Sequence, residues 1–380
     1  MTDQDFPVSE FQARLERLQS ALRDAKIDAL FLNTEAEVRY YTGFRTLFWQ
    51  SPTRPWYLVL PAKGEPVAII PEIGADLMRK TWVKDIRTWP SPRASDEGLS
   101  LLAGCLNKYA RIGILSGRET HLRLPLSDFG ELKERCRGCE FVDVSDIVRT
   151  QRMTKSALEI EKLATICGIA SRSFERSDTL FHEGQTLKQA FAVFRIDLIS
   201  EGADDVPYLV GGAGPGGYGD VISPPTDRRL ANGDILMLDT GATRDGYFCD
   251  FDRNFAVGHA DDDAKRAYSA LHSSIDTALA IARPGVTCSE LFKVMATCLG
   301  SADSSVGRFG HGLGIQLTEP PSLIDFDETA LQAGMVITLE PSLEIAPGKM
   351  MVHEENIVIE DGPPRLLSTR AEPELPVIGG

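Results

Sequence analysis

The chain of 380 residues predicts two successive architectures, an α/β layer and then an α+β domain. Three observations carry that expectation. The length exceeds what a single core usually serves, so two domains are expected. The first part alternates short apolar runs with helical stretches, the pattern of an α/β layer. Beyond residue 150, long helical patterns are followed by mostly antiparallel strand patterns, which is the α+β arrangement. We place the domains at 1–150 and 151–380, with the boundary in the stretch Val148 to Lys155.

Taken in order, Ser9 to Lys26 reads as a helix, with Ser9 and Gln12 as a capping box and Phe11, Leu15, Leu18 and Leu22 at helical spacing. Strands are expected at Ala29 to Leu32, Tyr57 to Leu60, Val67 to Ile70, Ile112 to Leu115 and Phe141 to Val144. Helices are expected between them at Asp96 to Tyr109 and Leu126 to Cys136. In the second part Ser156 to Leu180, Leu187 to Ile199 and Asp262 to Ala282 are helical patterns, the last closed by Pro284-Gly285, and a fourth begins at Thr287. No internal repeat at a solenoid period is present.

Composition narrows the function classes. A net charge of −15 argues against nucleic acid or an anionic membrane as partner. No apolar stretch approaches the length of a membrane span, and Met1 to Arg14 is polar and acidic, unlike a leader. A cytoplasmic location is therefore expected. Seven cysteines, an odd number spread over a long chain, fit reduced thiols. Cys136 and Cys139 form a lone CxxC without a second pair and are read as incidental.

The chemistry concentrates in GDILMLDTGATRDGYFCDFDRNFAVG. Its flanks are apolar and aromatic enough for strands, and Asp245-Gly246 is a hairpin signal. A turn centred between Arg244 and Asp245 would pair Asp239 with Asp250, with Cβ atoms about 5 Å apart, where like charges repel unless a cation compensates. Further along stand His311 in Gly310-His311-Gly312-Leu313-Gly314, Glu340 after the run Met335 to Leu339, and Glu354 before Asn356 to Ile359. Two aspartates, an imidazole and two glutamates suit manganese, cobalt, iron or zinc, and suffice for two ions.

These motifs resemble the creatinase, prolidase and aminopeptidase P group of metallopeptidases. The resemblance runs in order through Leu238-Asp239-Thr240-Gly241, Gly246 to Asp250, the Gly-His-Gly-Leu-Gly segment, Leu339-Glu340-Pro341 and His353-Glu354-Glu355. It implies a pita-bread catalytic domain behind a creatinase-type N-terminal domain, and a homodimer. It further implies that Asp239, Asp250, His311, Glu340 and Glu354 hold two divalent ions, manganese foremost. In that picture the ions activate a bridging water and Glu340 shuttles its proton to the leaving group. His353 should point to the opposite strand face and is read as structural.

The chain also departs from the group. Where active peptidases carry a His-Glu-Pro-like triplet, it has Thr318-Glu319-Pro320, and Gly211 to Arg229 contains none of the histidine expected ahead of the first aspartate. Thr318 retains a hydroxyl donor. Asp252 stands where the group usually has threonine. It is read either as a sixth ligand, a base or a cation-binding group, or as a charge neutralised by Arg253 or another basic residue. The glycine-rich Gly211 to Gly219 lacks a P-loop ending and is read as a flexible active-site loop. Tyr40 and Tyr41 are read as a loop packed on the N-terminal core. Trp49, Arg54 and Trp56 are assigned to the substrate, with Arg54 reaching a carboxylate from the partner protomer.

The leading function is hydrolysis of an amide bond in a small peptide such as an Xaa-Pro dipeptide. The alternative keeps the fold but acts, as hydrolase or lyase, on a small zwitterionic or nitrogenous compound. A binding protein without catalysis ranks third, because the five ligand types are retained.

Overall fold

The computed structural model describes residues 6–52, 54–300 and 307–379. The first five residues of the polar start lie outside that range. The chain divides into two units, Met1–Gln151 and Arg152–Gly380.

The first unit is built on a six-stranded mixed sheet. Its strands are β1 (Ala29–Leu32), β2 (Tyr57–Pro61), β3 (Val67–Pro71), β4 (Asp85–Trp89), β5 (Arg111–Ile114) and β6 (Glu140–Asp143), in the spatial order β4-β3-β2-β1-β5-β6. All five expected strands begin within one residue of the expected positions, because short apolar runs bounded by turn residues declare them. β4 escaped the sequence reading. Its sequence, DIRTW, mixes polar and apolar residues on both faces, as suits a strand at the sheet edge.

Two local expectations in this unit are corrected. The first helix is Val8–Asp24, entered from Pro7, and no side chain caps it. The proposed Ser9 box therefore does not form, because proline starts the helix one residue earlier and places Ser9 inside its first turn. Tyr40 and Tyr41 lie not in a loop but in the helix Glu35–Thr42, closed by Gly43 at φ 76°. Both rings are buried and meet edge to face at 5.0 Å.

The second unit opens with the helices Ala157–Glu175 and Leu187–Ser200, whose N-termini carry reciprocal capping boxes at Ser156/Glu159 and Thr186/Gln189. Phe174 of the first helix and Phe181 of the segment between the two pack on Phe194 of the second helix and on Phe255, fixing the helices to the strands that follow. Those strands are β7 (Asp205–Pro215), β8 (Asp234–Arg244), β9 (Tyr247–Phe248) and β10 (Phe251–Val257). The expected flexible loop at Gly211 is thus largely strand, since Gly211 to Pro215 pair with β8.

A second sheet holds β11 (His311–Gly312), β12 (Glu319–Ser322) and β13 (Val336–Leu339). After the ribbon β14 (Ser342–Ala346) and β15 (Lys349–Val352), the chain returns to the second sheet as β16 (Glu355–Val358) and β17 (Arg365–Leu366). Helices Asp262–Ile281 and Cys288–Cys298 cover it through Ile275, Leu291, Met295, Ile337 and Ile357, all fully buried.

Candidate metal centre

The hairpin between β8 and β10 sets the first part of the site, and its register differs from the expected one. Asp245 and Gly246 occupy the two central turn positions with φ of 48° and 67°, as a type I′ turn requires. Arg244 then faces Tyr247, and the same register carries Asp239 opposite Asp252, not Asp250. The correction is a shift of two residues, which preserves the face. Asp250 consequently lies diagonal to Asp239 on one surface.

Oxygen atoms of Asp239, Asp250 and Glu354 lie within 4.8 Å of one another, and all three residues are buried. His311 extends the group. Its Nε2 is 3.3 Å from Asp250 Oδ2 and 3.2 Å from Glu340 Oε1. Its Nδ1 is 2.9 Å from the Gly312 carbonyl, which only accepts, so that nitrogen carries the proton and Nε2 is left to face the acids. The five residues assigned to metal ions are therefore brought together from β8, the start of β10, β11 and the ends of β13 and β16.

Backbone contacts explain why each side chain stands where it does. Asn356 accepts the Asp250 N–H at 3.0 Å and donates to the Asp250 carbonyl. Thr338 accepts the His311 N–H at 2.9 Å and donates to Glu340 Oε1 at 3.0 Å, tying two of the five through one hydroxyl. Gly310 has φ of 145°, and a Cβ there would stand 2.3 Å from the Thr338 carbonyl oxygen. Glycine is what allows the His311 strand to approach β13 so closely.

Electrostatics mark the cluster as incomplete without a cation. Burial, reinforced by the neighbouring carboxylates, pushes Asp239 and Glu354 well above the usual carboxylate range. Burial also raises Asp250, to about 6, although His311 pulls it down. Asp239 Oδ1 and Glu354 Oε2 are buried with no hydrogen-bond partner among the described residues. Buried acceptors left this way cost free energy that a cation would recover. The donor set, hard oxygens with one imidazole, fits divalent transition metals.

The remaining candidates fall in different places. Asp252 is fully buried, and its carboxylate accepts the Glu354 N–H at 2.8 Å and the Asn254 amide at 3.1 Å. Arg253 bonds the Asp252 backbone carbonyl, not its carboxylate. Thr318 is exposed and, among the described residues, shares no hydrogen bond with the five. Its neighbour Glu319 is buried between Arg152 at 2.6 Å and Lys155 at 3.1 Å. Burial alone would raise the Glu319 carboxyl, but the two cations hold it at about 2. Within the first unit, the rings of Trp49 and Trp56 stand 6.1 Å apart, and their indole Nε1 atoms, like Arg54 Nε, are buried without a hydrogen-bond partner among the described residues. His353 is buried beside Tyr268 and His272 and accepts from Arg370, so it takes a structural place.

Several contributors carried no readable signal. Thr338, Asn356 and Asn254 act through contacts with His311, Asp250 and Val352, 27 to 106 positions away, which local spacing does not encode. Tyr208 on β7 sets its phenol beside Asp239. Arg308 contributes positive charge near Asp250 and His311. Its place three residues before His311 was the one available hint.

Comparison with known proteins agrees with this geometry. The crystal structure of dipeptidase PepE from Mycobacterium ulcerans superposes with a TM-score of 0.85 at 27% identity, covering 99% of this chain and 100% of that one. The Xaa-Pro dipeptidase of Pyrococcus furiosus is 26% identical over 373 residues, 94% of this chain and 99% of the relative. A prolidase from Thermococcus sibiricus shares the fold with a TM-score of 0.86 at 22% identity. Residues 14–154 match the creatinase/prolidase N-terminal domain, and residues 161–361, which contain all five converging groups, match metallopeptidase family M24. With a pita-bread catalytic unit following a creatinase-type domain, the chain belongs to metallopeptidase family M24 and is a metal-dependent hydrolase.

Proposed function

We propose that this chain cleaves the amide bond of a small peptide, an Xaa-Pro dipeptide foremost, using two divalent ions held by Asp239, Asp250, His311, Glu340 and Glu354. The carrying observation is the convergence of these five groups with two buried carboxylate oxygens left unpartnered. Manganese is the first choice among the metals this donor set suits, ahead of cobalt, zinc and iron. Such ions polarise a carbonyl and make water nucleophilic near neutral pH.

The protein's own groups do the rest. Glu340 is the most open of the five, its side chain 20% exposed, and Thr338 occupies its Oε1. Its Oε2 makes no hydrogen bond among the described residues and takes a proton from the attacking water for delivery to the departing nitrogen. Asn356 and Thr338 hold the ligand backbone so that the groups need no rearrangement. Arg54 supplies hydrogen bonds for the substrate carboxylate from the partner protomer of a homodimer, with Trp49 and Trp56 buried in the same unit as its packing support. The substrate relation is supported by relatives named Xaa-Pro dipeptidase. All seven cysteines are free, in keeping with a reducing cytoplasm.

A second reading, a non-peptidase on a zwitterionic substrate, is favoured by one feature. Thr318 is exposed where an imidazole would carry charge to the substrate. Protein reconstituted with manganese and screened against Xaa-Pro dipeptides, small amides and betaines separates the two. Dipeptide turnover supports the first, and turnover confined to non-peptides replaces it with the second.

A further inference from the structure

We propose that Asp252 is a positioning residue, fixing the Glu354 backbone and so the reach of the Glu354 carboxylate toward Asp239 and Asp250. The inference rests on the metal-site reading above. It rests also on a continuous chain of buried hydrogen bonds whose directions are all determined. Tyr218 accepts the Val352 N–H at 2.7 Å and donates its hydroxyl to Asn254 Oδ1 at 3.0 Å. That acceptor role orients the Asn254 amide. Its Nδ2 donates to the Val352 carbonyl at 2.6 Å and to Asp252 Oδ2 at 3.1 Å. The other oxygen, Asp252 Oδ1, is left to accept the Glu354 N–H at 2.8 Å.

The next residue completes the grip. Arg253 Nη1 donates to the Glu354 carbonyl at 2.8 Å, while its Nη2 pairs with Glu355 at 3.0 Å. Both backbone groups of residue 354 are thus held by two consecutive residues of β10. The cross-strand partner of Asp252 is Asp239, so one strand pair sets two of the three clustered carboxylates at once. Asp252, Asn254 and Tyr218 are each at most 2% exposed, so water does not compete for these bonds. The Asp252 carboxylate is not among the three whose oxygens lie within 4.8 Å of one another, and each of its oxygens is engaged by a donor of this chain, an amide N–H and an asparagine. Its action on the ions passes through Glu354.

The network predicts a graded series. Asp252→Ala removes the acceptor of the Glu354 N–H. Asp252→Asn keeps an oxygen for that N–H but sets its own NH₂ against that of Asn254. Tyr218→Phe leaves Asp252 intact and loosens the far end of the chain. Manganese titration of metal-free protein by calorimetry, with occupancy checked by elemental analysis, reads the effect without substrate. We expect Asp252→Ala to weaken binding about 10- to 100-fold, as is usual when an outer partner of a ligand is lost, with Asp252→Asn and Tyr218→Phe in decreasing order. Amide exchange in the segment 352–356 should accelerate in the same order.

A solely structural role would lower the melting temperature and leave manganese affinity unchanged well below the melt, and that result overturns the proposal. Should Asp252→Ala not fold, Tyr218→Phe and Asp252→Asn decide it by the same criterion. Wild-type protein that takes up no manganese would instead sink the metal reading itself, whereas unaltered affinity in the variants sinks only the role of Asp252.

Discussion

Removing metal from this protein should make its stability depend on pH in a direction opposite to ordinary acid denaturation. Asp250 moves from 3.8 to about 6 in the folded chain, first because it is buried. Between those values the folded state keeps a proton that the unfolded state has released, so stability of the metal-free fold falls as pH rises through that window. Once both states are ionised the loss from Asp250 alone is about 3 kcal/mol. For a domain of this size that corresponds to roughly 6 to 12 °C in melting temperature.

Bound manganese reverses the trend, because the ions require ionised ligands and their binding displaces those protons. Calorimetric melts of manganese-loaded and EDTA-treated protein from pH 5 to 8 should therefore diverge, with the gap widening as pH rises. A gap that stays constant or narrows would refute the claim that buried, protonated carboxylates form the ligand set.

Three further outcomes are expected. Glu319→Gln leaves Arg152 and Lys155 buried with their shared counter-charge gone, and urea unfolding should show a loss of about 3 to 5 kcal/mol. Because the folded Glu319 is held at about 2, its wild-type contribution is complete above its ordinary value of 4.5 and disappears only as pH falls toward 2. Gly310→Ala forces a side chain to φ 145° and into the Thr338 carbonyl, so a loss of at least about 2 kcal/mol should accompany lower metal content by elemental analysis. Arg54→Ala should raise KM far more than it alters metal content, and an unchanged KM in steady-state kinetics discards its role in carboxylate binding.

Strands β1, β2, β3 and β5 and the long helices of the second unit were legible because burial on both faces, or along a 3.6-residue stripe, leaves a local apolar pattern. Elsewhere local signals competed or were weak. Pro7 overrode the Ser9 box, and the polar edge strand Asp85–Trp89 lacks an apolar face. The sequence by itself determined which residue types could bind metal and their order along the chain, since motif spacing is a property of neighbours. Only the tertiary structure decided that Asp239 faces Asp252, that Asp252 serves the Glu354 backbone, and that Glu319 is locked by cations 164 and 167 residues away. Alternation fixes which face a side chain takes, but register depends on the turn. Long-range partners depend on how separate elements pack, and neither is written in any local stretch of residues.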